Sequence, residues 1–230
     1  VCEMVDIKLS AIGVGDPLVQ GQPLDLMIVL DTSLSMISPS TAPLADAKVA
    51  AKLLVDELDP TLDKVGLVSY GDTATLRSAL TSSFSGVKST IDGLSASGYT
   101  NIGDGVWDAQ QELNANGRAE ALPIIVVLTD GVANRSHSGS SCTTWPTSAT
   151  SCTNDAINQA TTAKTAGTLV FSIGLNLDSI GVEQGASVEN LARSVLQTMA
   201  SEPANYYEAP DSTDLAGIFA DIAQKVTTIA

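Results

Sequence analysis

Along the chain, short apolar runs alternate with stretches whose apolar residues recur at helical spacing. The runs are DLMIVL at 25–30, KVGLVSY at 64–70, PIIVVLTD at 123–130 and GTLVFSIG at 167–174. They are rich in Val, Ile and Leu and lack polar alternation, as strands buried on both faces do. Between them, Ala47, Ala51, Leu54 and Leu58 recur every three or four residues, and so do Ile102, Val106, Ala109 and Leu113. Near the end, Leu215, Ile218, Phe219, Ile222 and Val226 share one helical face, with Asp211 to Asp214 before them as a cap region. TATLRSAL at 73–80 reads as a short edge strand and NYYEAP at 205–210 as the last strand. The alternation predicts an α/β fold of Rossmann-like, doubly wound type, with a mostly parallel central sheet and helices on both faces.

Length narrows this to one main unit. The 230 residues suit a single α/β domain over 23–230. Residues 1–22, with turn signals at Gly13, Gly15-Asp16-Pro17 and Gly21, read as an N-terminal extension or a lead-in from a neighbouring domain. No apolar run approaches the roughly 18 residues that cross a bilayer, so no direct membrane insertion is expected. No basic start followed by an apolar stretch marks a signal peptide. The formal net charge of −15 argues against nucleic acid, whose phosphates need a basic stripe, and suits a cation-binding protein.

Candidate chemistry gathers where the strands end. In open α/β sheets, ligands bind beyond the carboxyl ends of the strands. MIVLDTSLSM places Asp31, Ser33 and Ser35 directly after the first strand, and VVLTDG places Asp130 after another. GYTNIGDG sets Thr100 in a Gly-rich loop that opens the helix from about 102. Singly, a Ser-rich turn is ordinary helix capping and an Asp-Gly is an ordinary turn. Together, two carboxylates and three hydroxyls on one rim suit a hard cation, which takes oxygen ligands only. Mg²⁺ fits best, with Mn²⁺ or Ca²⁺ as substitutes. Neutral hydroxyls at the metal leave it electrophilic, so an open position accepts a carboxylate from a partner.

These motifs carry a resemblance. DTSLS matches the D-x-S-x-S pattern of von Willebrand factor A domains, which form a metal-ion-dependent adhesion site. GYTNIGDGV is similar to that family's threonine loop and VVLTDG to its T-D-G motif. The likeness covers about residues 23–228. It implies a sheet with one antiparallel edge strand and direct metal contact by Ser33, Ser35 and, depending on the state of the site, Thr100, while Asp31 and Asp130 act mainly through water. Leu34 and Tyr99 stand where relatives often have Gly, and neither position supplies a ligand. The segment from Asn205 onward also resembles the end of A domains in bacterial surface and pilus-assembly proteins.

An inserted loop, at about 134–153, leaves the site-bearing end of the third apolar run. It is expected to stand beside the metal and wall the partner-binding surface, with Arg135, His137 and Trp145 as candidate contacts; helical character resumes near Asp155. The plain alternative is a surface loop whose Trp packs on its own disulfide. Cys142 and Cys152 lack metal-ligand spacing, and a disulfide closing so short a loop adds about 2.7 kcal/mol in the chain-entropy picture. It would also imply an oxidising compartment. Cys2 is left without an assigned partner. No second histidine accompanies His137 and no nucleophile elbow is present, so no enzyme activity is expected.

The sequence therefore predicts an extracellular or cell-surface adhesion module. Its partner is a protein or matrix ligand, or other subunits of a surface or pilus assembly. The alternatives are an intracellular A domain assembling with an ATPase, as in chelatase-like complexes, and a structural domain with a vestigial site.

Overall fold

The computed structural model describes residues 21–37, 43–211 and 214–229. Cys2 and the turn signals between Gly13 and Pro17 lie outside those residues, as does the middle of the expected cap before Leu215. Six strands form one sheet in the order β3-β2-β1-β4-β5-β6. They are β1 (Leu24–Asp31), β2 (Lys64–Tyr70), β3 (Ala74–Thr81), β4 (Leu122–Thr129), β5 (Leu169–Leu175) and β6 (Tyr206–Ala209). All neighbouring pairs are parallel except β2–β3. The predicted doubly wound sheet with one antiparallel edge strand is what the chain adopts.

Burial explains the uninterrupted apolar runs. Every residue of β1 is buried, because β2 and β4 flank it and helices cover both faces. Leu24, Leu26, Ile28 and Leu30 enter one core with α1 (Pro43–Asp56), α2 (Phe84–Asp92) and α7 (Leu215–Ile229). Met27 and Val29 enter the other with α3 (Ile102–Asn116), α4 (Ser151–Thr165) and α6 (Ala186–Met199). Alternate side chains of one strand thus serve two cores. Glycine matters at 105, where a Cβ would stand 2.7 Å from the Tyr70 ring and 2.9 Å from Val29. Its absence lets α3 lie close on the sheet beside the site.

Three details differ from the sequence expectation. Helices α2, α6 and the short α5 (Leu177–Gln184) occupy stretches that the apolar spacing did not single out. Leu58 lies beyond the end of α1 but is still buried. Helix α4 begins at Ser151 rather than near Asp155, because Thr150 caps it: its side chain accepts from the Thr153 N–H, and the Thr153 hydroxyl accepts from the Thr150 N–H.

Candidate metal centre

Strands β1 and β4 run in register with Leu30 opposite Leu128, so their carboxyl ends emerge side by side. Asp31 ends β1 and Asp130 follows β4 directly. Between them runs a chain of hydrogen bonds through Ser33 and Ser35. The Ser35 hydroxyl donates to Asp130 Oδ1 at 2.7 Å, and the Ser33 and Ser35 hydroxyls stand 3.0 Å apart. Asp31 Oδ1 accepts from the Ser33 N–H at 2.7 Å, and its Oδ2 accepts from the Thr129 hydroxyl at 2.6 Å. Thr129 is a site residue that the sequence reading missed. It stands in VVLTDG as the Thr of the T-D-G pattern, to which the sequence reading assigns no role, and the parallel register turns its hydroxyl onto Asp31.

Thr100 arrives from a different loop and is held by backbone-directed contacts. Its N–H donates to Asn134 Oδ1 at 2.9 Å, while its carbonyl accepts from the N–H of Asn134 and of Arg135. The preceding turn is tied to the first loop: Ser97 N–H donates to the Thr32 carbonyl and Leu34 N–H to that of Gly98. Asn101 caps α3 by accepting from the Asp104 N–H. Asn134, only 4% exposed, is a further positioning residue that no sequence motif marks. Asn134→Ala is expected to leave the buried Thr100 N–H without an acceptor, costing about 1–3 kcal/mol of stability. It is also expected to weaken cation binding roughly tenfold, as measured by calorimetric titration.

The electrostatics of this cluster are unfavourable as it stands. Asp31 is fully buried, and burial pushes its carboxyl above the ordinary range despite the hydrogen bonds from Thr129 and Ser33. Asp130 retains some solvent exposure but is enclosed enough for burial, and then the charge of Asp31, to raise it as well. Among the described residues neither carboxylate has an ion pair with a basic side chain.

The inserted loop distributes its three candidate contacts unequally. Trp145 lines an open cleft of about 320 Å³ together with Ser33, Ser35 and Thr100. Arg135 stacks on Tyr99, with its guanidinium carbon 3.6 Å from the ring centroid, and Tyr99 lines the same cleft. His137 does not line it. Its ring stacks on Trp107 in α3, with centroids 4.2 Å apart, and its Nδ1 lies 2.7 Å from Asp104 Oδ1. Its backbone N–H donates to Asp155 in α4, so His137 fastens the loop to the helices. The expected disulfide joins Cys142 to Cys152 in the first turn of α4. Other bonds already pin this loop, including Cys142 N–H to the Asn134 carbonyl and a bridge between Arg135 and Ser141. Reduction, or Cys142→Ser with Cys152→Ser, is therefore expected to cost about 2 kcal/mol, read as a lower urea midpoint.

Sequence comparison settles the family. The model of the von Willebrand factor type A domain matches residues 25–221. The chain belongs to that family. Among curated proteins, this A domain is 36% identical over 117 residues to a UPF0353 protein of Mycolicibacterium paratuberculosis, covering 47% of this chain and 35% of that one. A UPF0353 protein of Mycolicibacterium vanbaalenii is 34% identical over 114 residues, covering 46% and 34%. The chain thus spans about a third of the length of the curated relatives it matches. Among solved structures, the vWF domain of the type V pili tip protein Mfa5 from Porphyromonas gingivalis has a TM-score of 0.75 at 17% identity, covering 90% of this chain and 96% of that one. The pilus adhesin SpaC from Lactobacillus rhamnosus GG has 0.70 at 16%, covering 90% and 31%. Proximal thread matrix protein 1 from the mussel byssus, with a zinc-occupied MIDAS motif, has 0.65 at 22%, covering 90% and 46%. At these identities the likeness is one of fold.

The residues of this A domain fit a divalent cation. Two crowded carboxylates beside three hydroxyls are relieved by one doubly charged cation, and every donor is oxygen. Among the described residues no group of three His, Cys, Asp or Glu side chains converges as a metal site, so hydroxyls must complete any such set. That donor chemistry favours Mg²⁺, Mn²⁺ or Ca²⁺ over softer ions.

Proposed function

We propose that this A domain is an adhesion module that binds a protein or matrix partner through a divalent cation, with Mg²⁺ the natural ion. Ser33, Ser35 and Thr100 would hold the cation directly, and Asp31 and Asp130 mainly through water. The observation that carries this reading is the pair of enclosed carboxylates, with no basic partner among the described residues, joined through Ser33 and Ser35 beside an open cleft. When bound, the cation supplies a site for a partner's carboxylate. No covalent chemistry is required, and the domain acts by binding rather than catalysis.

The Cys142–Cys152 disulfide supports an extracellular or cell-surface setting. Fold likeness to pilus tip and adhesin A domains agrees with a role in a surface or pilus assembly. Among the described residues no helix is long and apolar enough to cross a membrane.

The test is calorimetric titration of Mg²⁺, Mn²⁺ and Ca²⁺ into protein stripped with EDTA. One saturable site is expected in the wild type and none in Ser33→Ala/Ser35→Ala. Failure of all three ions to bind the folded wild type would leave a structural domain with a vestigial site. Free thiols at Cys142 and Cys152 in protein taken from its native cells would instead favour the intracellular, ATPase-associated reading.

A further inference from the structure

Thr100 is held by a hairpin to which it does not belong. Residues 134–142 fold back on themselves through a bridge between Arg135 and Ser141. Ser136 N–H donates to the Ser140 carbonyl, and Ser140 N–H to the Ser136 hydroxyl. The outgoing arm grips the threonine loop at three successive residues. Arg135 lies over the Tyr99 ring, both backbone groups of Thr100 bond to Asn134, and the Asn101 amide donates to the Ser136 carbonyl at 3.2 Å. The returning arm ends at Cys142, whose N–H donates to the Asn134 carbonyl at 3.0 Å. The Cys142 sulfur is bonded to that of Cys152, which is 0% exposed in the first turn of α4. Two hydrogen-bonded steps thus connect the cross-link to Thr100: Cys142 to Asn134, then Asn134 to Thr100.

We propose that Cys142 and Cys152 are positioning residues for the cation site, which reaches its full affinity only once their disulfide has formed. This rests on the cation reading above. The disulfide touches none of the cation residues and acts through Asn134, by fixing where the hairpin holds Thr100. The threonine loop has other anchors, since Leu34 N–H donates to the Gly98 carbonyl and Asn101 N–H to that of Gly71. Opening the disulfide therefore displaces Thr100 within a loop that stays attached, and weakens the site without abolishing it. Closure is a thiol–disulfide exchange with a disulfide oxidant. The thiolate of half-buried Cys142 attacks the oxidant and forms a mixed disulfide. Cys152 then attacks the Cys142 sulfur, and the oxidant leaves as a dithiol carrying two electrons and two protons. Cation binding is thereby tied to an oxidising compartment.

The experiment is calorimetric titration of Mg²⁺ into the full chain stripped with EDTA. The forms are oxidised and TCEP-reduced wild type, Cys142→Ser/Cys152→Ser, Thr100→Ala, and the triple variant. Reduction and the serine pair are each expected to weaken binding about fivefold. Thr100→Ala keeps Ser33 and Ser35 for the cation, and adding the serine pair to it is expected to change affinity by less than about twofold, because the residue it acts through is gone. TCEP added to the serine variant is expected to change nothing, which removes Cys2 as the cause. Melting in EDTA checks that each form is folded at the titration temperature. Unchanged affinity in the folded reduced and serine forms would overturn the inference and leave a staple that serves stability alone. A fivefold loss repeated in Thr100→Ala would overturn it too, since the disulfide would then act elsewhere on the site. Unfolding of both disulfide-free forms would do the same, because the bond would hold up the whole domain and not this hairpin. Absence of Mg²⁺ binding to oxidised wild type would instead remove the cation reading itself.

Discussion

In EDTA at about pH 8, Asp31→Asn is expected to melt at or above the wild type, and in excess Mg²⁺ the order is expected to reverse. Asparagine keeps an oxygen for the Ser33 N–H, and the Thr129 hydroxyl can turn to accept from the new amide. What the substitution removes is a fully buried charge that repels Asp130. Without a cation this relieves the folded state; with one it deletes half of the attraction. A cation at about 100 times its dissociation constant adds roughly 2.7 kcal/mol to the wild type. For a chain of this size that is a shift of about 5–10 °C. The variant is expected to show almost none of it.

The pH dependence follows from the same two carboxyls. Their folded-state pKa values lie above the unfolded ones, so the folded state holds these protons more tightly. In EDTA their contribution to stability is therefore greatest at low pH. It falls as pH rises from about 4 toward 7, through the ordinary carboxylate value and then the raised one. The cation competes with those protons, so the Mg²⁺-induced shift is expected to grow over the same window and level off above it. A shift independent of pH, or one retained in Asp31→Asn, would show that the cation binds elsewhere.

The largest loss of stability is expected at the opposite end of the sheet, with Arg118→Ala. Asp25 is 1% exposed at the start of β1, and Arg118 meets it three times: through its backbone N–H at 2.6 Å, Nε at 3.0 Å and Nη2 at 2.8 Å. Two further guanidinium hydrogens, one on Nη1 and one on Nη2, go to the carbonyls of Leu62 and Leu24. Truncation leaves a buried carboxylate with one donor and two carbonyls short of theirs. Removing one partner of such a pair costs about 3–5 kcal/mol, or roughly 6–20 °C in melting temperature. Urea unfolding of Arg118→Ala, Asp25→Asn and the double variant checks this. Independent, additive losses would show that the two side chains do not act as a pair.

The resemblance drawn from three motifs and the family match agree because both rest on local sequence. DTSLS, GYTNIGDGV and VVLTDG each occupy a few consecutive residues, and strand-end position follows from the apolar run before each. Four of the six strands were legible for a similar reason. A strand buried on both faces needs continuous Val, Ile and Leu, and β1, β2, β4 and β5 supply it. Helix α6 was harder to see, since its buried face includes small Ala192 beside Val188, Val195 and Leu196. The start of α4 was misplaced because its cap is a Thr–Thr pair in a stretch already crowded with Ser and Thr.

By itself, then, the sequence determined the kind of fold, the rim on which the oxygen-bearing residues gather and the cysteines that close the inserted loop. These depend on periodicity and short spacing, which a linear chain records. The tertiary structure alone decided which distant groups meet. Thr129 turns onto Asp31 across 98 positions of sequence, Asn134 clamps Thr100 across 34, and Arg118 reaches Asp25 across 93. It also divided the inserted loop, sending His137 back to α3 and leaving Trp145 at the cleft. Such pairings are set by parallel register and by helices packing on a shared sheet, and no stretch of neighbouring residues encodes them.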